Sequence, residues 1–375
     1  MIALVGHVTE SYGPMQALPL YLKKNFDEFM VVSHPFPYCS ILQSKCVYIK
    51  NQKEIREFSG PKYKFKKFFV VHYVGDFILT LYFFFRLGKK WDFFIGCDCL
   101  NAFTGLTLKK LGIAKKVIFY ENEYTVKRFR KEILNKIFQF LNEFTARNVD
   151  IVWDGPPNLY EVRKNQGVNL EKVILVPHGV DLEKVRILKK NNQKTLVYVG
   201  HVTESKGLQL VVNALKRVSK KVQGIKVVII GSGPYEDELK KLIKKSRLEK
   251  LFTFWGFTDH SWTLSYLPSC GIGLAPYTPL DRQALMYAEP LKVKDYLSCG
   301  LPVIITNFGS CAKEIEKKRF GLSVAYSSRE LAKAIIKLCT DKVFYKKCRL
   351  NILSFFKRIT WEETYNSAFE KTFSL

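Results

Sequence analysis

Acidic residues are in short supply. Only 34 Asp and Glu stand against 60 Lys and Arg in 375 residues, a formal net charge of +26. The excess is spread along the chain: residues 1–180 hold 26 basic and 16 acidic side chains. A nucleic-acid module concentrates its charge on one reading motif, and none occurs, so nucleic acid drops out as a partner. An anionic membrane face and an anionic substrate remain. Paired cysteines are also lacking. The nine cysteines are scattered, and Cys97 and Cys99 form only a CxC, a weak metal signal. Free thiols in a reducing cytoplasm are expected. No DxD pair of aspartates offers itself to a divalent ion, and no two histidines have metal-binding spacing, so neither metal nor cofactor is expected. No basic leader precedes the apolar run Met1–Val5, which reads as a first core strand.

What is present is apolar and periodic. A hydrophobic content of 47% with 14% aromatics excludes disorder, and the length suits two domains. One stretch occurs twice: VGHVTESYG at Val5–Gly13 and VGHVTESKG at Val199–Gly207. Each copy follows an apolar run and precedes helical spacing. Around them, strand-like runs alternate with helical ones. In the first half the strands fall at Ile2–Val5, Phe29–Ser33, Phe93–Gly96, Val117–Tyr120, Ile151–Trp153 and Val173–Val176. The pattern predicts α/β architecture with two doubly wound parallel sheets, in which ligands bind beyond the C-terminal strand ends. VPHGVD at Val176–Asp181 marks the junction. The domains are then 1–180, 181–358, and a C-terminal helix over 359–375.

Phe68–Arg86 is long and greasy enough to resemble a membrane span. His72 and Asp76 in its middle argue against spanning. A core helix is the expected reading. The alternative is an aromatic helix face against a bilayer, with Lys62, Lys64, Lys66 and Lys67 before it and Arg86, Lys89 and Lys90 after it meeting lipid phosphates.

Four turns in the second half carry phosphate-binding chemistry. Gly200–Gly207 opens a helix, whose N-terminus attracts anions; Thr203 and Ser205 suit its cap, and Lys206 adds a cation. Gly231-Ser-Gly233-Pro234 allows close backbone approach. Gly256 and Phe257 form an uncharged turn fit for a flat base. Glu289-Pro290-Leu291-Lys292 starts a helix, placing the Lys292 ammonium at the same anion and Asp295 three residues on, within reach of ribose hydroxyls. Taken singly, each reads as well as an ordinary βα turn, or as a surface ion pair of little energetic weight.

Their order is more telling. YVGHVTESKG, IIGSGP, WGF, APY and EPLKVKDYLSCGLPVI resemble the nucleotide-binding domain of the GT-B fold. More narrowly, they resemble the retaining family 4 (group 1) of glycosyltransferases, which includes glycogen-synthase-like and mannosyltransferase enzymes. The resemblance covers nearly all of the second half. VPHGVD resembles that family's inter-domain motif, and WEETYNSAFEK its C-terminal helix that returns to the first domain. The first half matches more loosely, through the Gly13 turn, DCLNAFTG and FYENEYTVKRF.

The resemblance implies a nucleotide-diphosphate sugar donor on the second domain, a glycan or lipid-linked acceptor on the first, and transfer with retention across a facing cleft. Lys206 falls on the family's diphosphate lysine, and His201 where an arginine is usual. Asp295 matches the second acid of the paired-acid motif. The first acid belongs at Tyr287, which is not acidic; Glu289 is the nearest carboxylate. The first-domain histidine of the family falls near Asn122 or Glu123. His7 and Gly13 are expected on the acceptor side. Lys206, Lys292 and helix N-termini would take up the charge that grows on the leaving diphosphate. Rivals are a sugar-nucleotide epimerase of the same fold and a non-catalytic nucleotide-sugar-binding relative. The enzyme is expected in the cytoplasm, peripheral on the inner membrane face.

Overall fold

The computed structural model describes residues 1–9, 12–37, 39–62, 69–129, 131–182, 185, 187, 191–281, 285–287, 289–356 and 359–375. Lys64, Lys66 and Lys67 lie outside them. The chain divides into two compact units, Met1–His178 with Trp361–Leu375, and Gly179–Thr360.

The first unit runs β1 (Ile2–Val8), α1 (Pro14–Asn25), β2 (Glu28–Pro35), β3 (Gln43–Lys50), β4 (Lys53–Lys62), α2 (Phe69–Leu87), β5 (Trp91–Cys97), α3 (Cys99–Lys110), β6 (Ala114–Glu121), α4 (Glu132–Asn148), β7 (Ile151–Asp154), α5 (Leu159–Asn165) and β8 (Val173–Leu175). The sheet order is β4-β3-β2-β1-β5-β6-β7-β8. Six of these strands are parallel, as the alternation predicts. β3 and β4 are not in the sequence reading. They extend the sheet antiparallel from β2. β4 escapes notice because it is an edge strand, nearly all exposed and rich in charge, as edges must be to avoid pairing with other chains. Asn51 and Gln52 both adopt positive φ, 51° and 63°, closing a two-residue hairpin without the usual glycine signal.

The second unit runs β9 (Thr195–Val199), α6 (Leu208–Val218), β10 (Lys226–Ile230), α7 (Glu236–Lys245), β11 (Phe252–Gly256), α8 (His260–Tyr266), β12 (Ile272–Ala275), α9 (Leu291–Ser298), β13 (Val303–Thr306), α10 (Gly309–Lys317), β14 (Gly321–Val324), α11 (Ser328–Thr340) and α12 (Lys342–Phe356). Its sheet is wholly parallel, β11-β10-β9-β12-β13-β14. The inner strands β9, β10, β12 and β13 are short, largely apolar runs because both faces are covered. α6 shows why one face goes inward: Leu208, Val211, Val212, Leu215 and Val218 are buried while Lys216 and Arg217 are exposed. Burying each such side chain is worth about 1.5–3 kcal/mol.

The last helix, α13 (Trp361–Ser374), returns to the first unit. Phe369 stacks on Tyr21 at 5.6 Å, and Trp153 Nε1 donates to Thr372 Oγ1 at 2.9 Å. All nine cysteines are free. Burial pushes the Cys97 and Cys99 thiols well above their ordinary range.

α2 divides its two faces between core and solvent. Asp76, Thr80, Phe83, Phe84 and Leu87 are buried, while Val71, Val74, Ile78, Tyr82 and Phe85 are exposed. Val70–Leu87 is long and apolar enough to cross a membrane, and 33% of it is buried. It therefore departs from the expected core helix: only one side serves the core.

Candidate functional site

In the second unit, three loops at the C-terminal strand ends lock together through backbone. Gly200 N donates to Ile230 O at 2.8 Å, Val202 N to Ser232 O at 3.0 Å, and Gly231 N to Gly256 O at 2.6 Å. A Cβ on Gly231 would lie 2.2 Å from Gly200 O, and one on Gly233 would lie 2.4 Å from Val202 O. These glycines are thus needed by loop-on-loop packing as well as by any ligand.

The turn that carries Lys206 is placed in the same way. Gly207 has φ +78°, and its absent Cβ would sit 1.7 Å from Pro276 O. Thr278 N donates to Ser205 O at 2.9 Å. The Glu204–Lys206 segment is a 3-10 turn, and α6 opens only at Leu208 with Gly207 as its cap residue. Thr203 and Ser205 therefore do not cap α6 as expected; their hydroxyls meet each other at 3.2 Å. Pro234 falls ahead of α7, whose cap residue is Tyr235.

α9 supplies the second cation. Pro290 is its N-cap residue, Leu291 its first residue and Lys292 its second. One turn on, the buried Tyr296 hydroxyl accepts from Val199 N at 2.7 Å and donates to Leu274 O at 3.3 Å. That pins the helix to the ends of β9 and β12. Lys292 Nζ then lies 4.0 Å from the Tyr198 ring centre and 5.5 Å from that of Tyr277. Lys206 Nζ is also 5.5 Å from the Tyr277 centre. A Cβ on Gly200 would be 3.0 Å from Lys292 Nζ. Two ammonium groups thus flank one ring beside a glycine turn, an arrangement able to hold a compact dianion. Tyr198 and Tyr277 are absent from the sequence reading as site residues, although APY was part of the motif order. Aromatic rings near lysines carry no spacing signal; only the fold brings them together.

The remaining candidates disperse. Glu289 pairs with the buried Lys294 at 2.6 Å. Burial alone would lower the Lys294 pKa, but the Glu289 charge raises it. Asp295 meets His260 Nε2 at 3.1 Å. Asp259 caps α8 through Trp262 N at 2.8 Å, which fixes His260 for that contact. Phe257 and His201 are exposed.

In the first unit, His7 lies inside β1 and is buried. Its Nδ1 donates to Asp98 Oδ2 at 2.7 Å, and its Nε2 to Asp76 Oδ2 at 3.2 Å. Burial alone would lower the imidazole pKa, but Asp98 and Asp76 raise it to about 9. Across the strand pair, His34 faces the other Asp76 oxygen at 3.2 Å, and burial pulls its pKa down. The result is one imidazolium between two carboxylates with a neutral imidazole behind it. Asp98 also caps α3 through Leu100 N and Asn101 N. Gly13 caps α1 in extended backbone, φ −175°, open to any residue. Asn122 and Glu123 follow β6 on a loop, half-buried and exposed respectively. Among the described residues, no group of three His, Cys, Asp or Glu side chains is arranged to hold a metal ion.

Comparison with known proteins defines the class. HepE of Anabaena, solved in complex with UDP, superposes with a TM-score of 0.74 at 14% identity, covering 100% of both chains. The lipopolysaccharide outer core galactosyltransferase WaaB superposes at 0.66 and 11% identity over 100% of this chain and 99% of that one. The fold is GT-B, with two Rossmann-like doubly wound domains. The narrower match is by sequence: residues 180–352 fit the model of the glycosyl transferases group 1 family. This stretch of the chain is thus similar to the group 1 glycosyl transferases. Alpha-monoglucosyldiacylglycerol synthase of Streptococcus pneumoniae is 27% identical over 45% of this chain and 40% of that protein. A GDP-mannose-dependent phosphatidylinositol monomannoside mannosyltransferase of Mycobacterium tuberculosis is 26% identical over 44% and 46%. The matched stretches therefore span less than half of these relatives.

Proposed function

We propose that the protein is a retaining hexosyltransferase that moves a sugar from a nucleotide-diphosphate donor to a lipid-linked or glycan acceptor. The observation that carries the reading is the convergence of Lys206 and Lys292 on Tyr277 beside Gly200, at the strand ends where doubly wound sheets bind ligands. As the sugar–phosphate bond breaks, negative charge grows on the diphosphate, and two fixed ammonium groups stabilise it. On this reading no metal is needed, and transfer persists in a chelator. Asp295, oriented by His260, accepts from the ribose hydroxyls, and Gly256 with Phe257 borders the base. Glu289 is held by Lys294, so its part is to buttress the start of α9. That position leaves contact with the sugar open to it only if the pair separates.

Two relatives named for diacylglycerol and phosphatidylinositol substrates support a lipid-linked acceptor. Neighbours solved with UDP or UDP-glucose support a uridine donor, and the GDP-mannose-dependent relative makes a guanosine donor the competing outcome. The free, buried thiols and basic surface fit a cytoplasmic enzyme peripheral on an anionic membrane. The test is a panel of nucleotides in thermal unfolding, followed by labelled nucleotide sugars with a lipid extract. Stabilisation by UDP and label in the lipid phase are expected. An epimer product, or binding with no product, would replace transfer with one of the two rival readings.

A further inference from the structure

We propose that the cavity among α2, α3 and α4 is a slot for one hydrocarbon chain of the lipid acceptor, drawn from an anionic bilayer. This deepens the acceptor reading above and rests on it for the word acceptor. The cavity, about 310 Å³, reaches the lower end of small-ligand sites. Its walls include Val74 and Phe77 from α2, Phe103 from α3, and Ile137 and Leu141 from α4. Such walls reward only an apolar guest, since a polar group left unpaired there is penalised.

The polar members of the lining are His7, Tyr73, Asp76, Asn101 and Thr104. His7 stands at the C-terminal end of β1, where a parallel sheet presents its ligands. The exposed apolar members lie on the helices: Val74 is 53% exposed and Ile137 56%. An amphiphile therefore fits with its polar head toward β1 and its chain toward the helix faces.

Those faces continue outward from the cavity. Val71, Val74, Ile78 and Phe85 form one stripe along α2, and Ile133, Ile137, Phe140 and Phe144 form another along α4. Both follow helical spacing. A patch of this kind on a soluble surface marks an interaction site. Exposed cations accompany it: Arg86 and Lys90 at the end of α2, and Lys131 and Lys136 at the start of α4. Apolar stripes set among cations match an anionic bilayer, where the rings and aliphatic groups enter the interface and the cations meet phosphates.

The experiment uses the full-length protein and cis-parinaric acid, a fatty acid that fluoresces in apolar surroundings. Saturable binding is expected. Val74→Trp fills the mouth and should weaken it by about tenfold or more. Val71→Lys, outside the cavity, should leave it unchanged while reducing cosedimentation with phosphatidylglycerol–phosphatidylcholine vesicles. A UDP-dependent rise in melting temperature retained by both variants shows that they fold. Non-saturable binding, or binding unchanged by Val74→Trp, overturns the slot. Undiminished transfer to lipid extract by Val74→Trp also overturns it, because the acceptor chain then lies elsewhere. If wild type binds parinaric acid in a way that Val74→Trp blocks yet transfers no sugar, the slot stands and the transferase reading fails.

Discussion

The two copies of VGHVTES-x-G invite a direct comparison, because eight of nine letters agree and the backbones do not. In the first copy β1 runs on through Gly6 and His7 to Val8, and His7 is buried between two carboxylates. In the second, β9 stops at Val199, Gly200 turns at φ +122°, and His201 faces solvent. Gly13 is extended, whereas Gly207 is left-handed. Identical letters obey different neighbours. β1 has Asp76 and Asp98 to satisfy a histidine; β9 has the glycine loops of β10 and β11 pressing on its end. The single changed letter, Tyr12 against Lys206, puts the cation on the turn that the fold carries to Tyr277.

The largest expected effect separates the changed letter. Lys206→Ala should lower sugar transfer by about 10²–10³-fold and leave the melting temperature nearly unchanged, whereas Tyr12→Ala should slow transfer far less. Assays of both variants with one labelled nucleotide sugar decide it; equal losses would erase the asymmetry.

The glycines come next. Gly207→Ala places a Cβ against Pro276 O and strains a positive φ, so a loss of about 3 kcal/mol is expected in urea unfolding. Gly13→Ala asks for no such backbone change and should cost at least ~1 kcal/mol less.

The histidines differ in burial. The His7 pKa rises from 6.5 to about 9 in the folded chain. Its contribution is therefore full below about pH 6.5 and is lost as pH climbs through about 9, worth about 3 kcal/mol at ~1.4 kcal/mol per pH unit. Melting temperature should fall across that window in wild type, and the fall should flatten in His7→Gln. His201→Gln, a change on an exposed side chain, should shift stability by no more than about 0.5 kcal/mol.

A smaller effect than that of His7 probes the support beneath Lys292. Tyr296→Phe removes the hydroxyl between Val199 N and Leu274 O and should cost about 1–2 kcal/mol. Its signature is weaker stabilisation by UDP than stability loss alone explains, read from melting curves with and without the nucleotide.

How far the site could be read from letters follows from what each residue responds to. Lys206 and Lys292 were legible because they sit at fixed offsets from a strand end and a helix start, and those offsets are local. β3 and β4 were not, because a charged edge strand has no apolar run to detect. His260 was passed over because its meeting with Asp295 spans 35 residues. Lys294 follows Lys292 by two positions, which along a helix turns its side chain to a different face, where it is buried with Glu289.

By itself the sequence determined the alternation of strand and helix, the glycine turns at strand ends and the bias of cations over acids, because periodicity, backbone freedom and charge are properties of neighbouring residues. Only the tertiary structure decided that His7 is buried and His201 exposed, that Lys206 and Lys292 share Tyr277, and that α2 keeps an apolar face uncovered. Those outcomes depend on which distant groups pack against a residue, and two copies of the same nine-residue stretch met different ones.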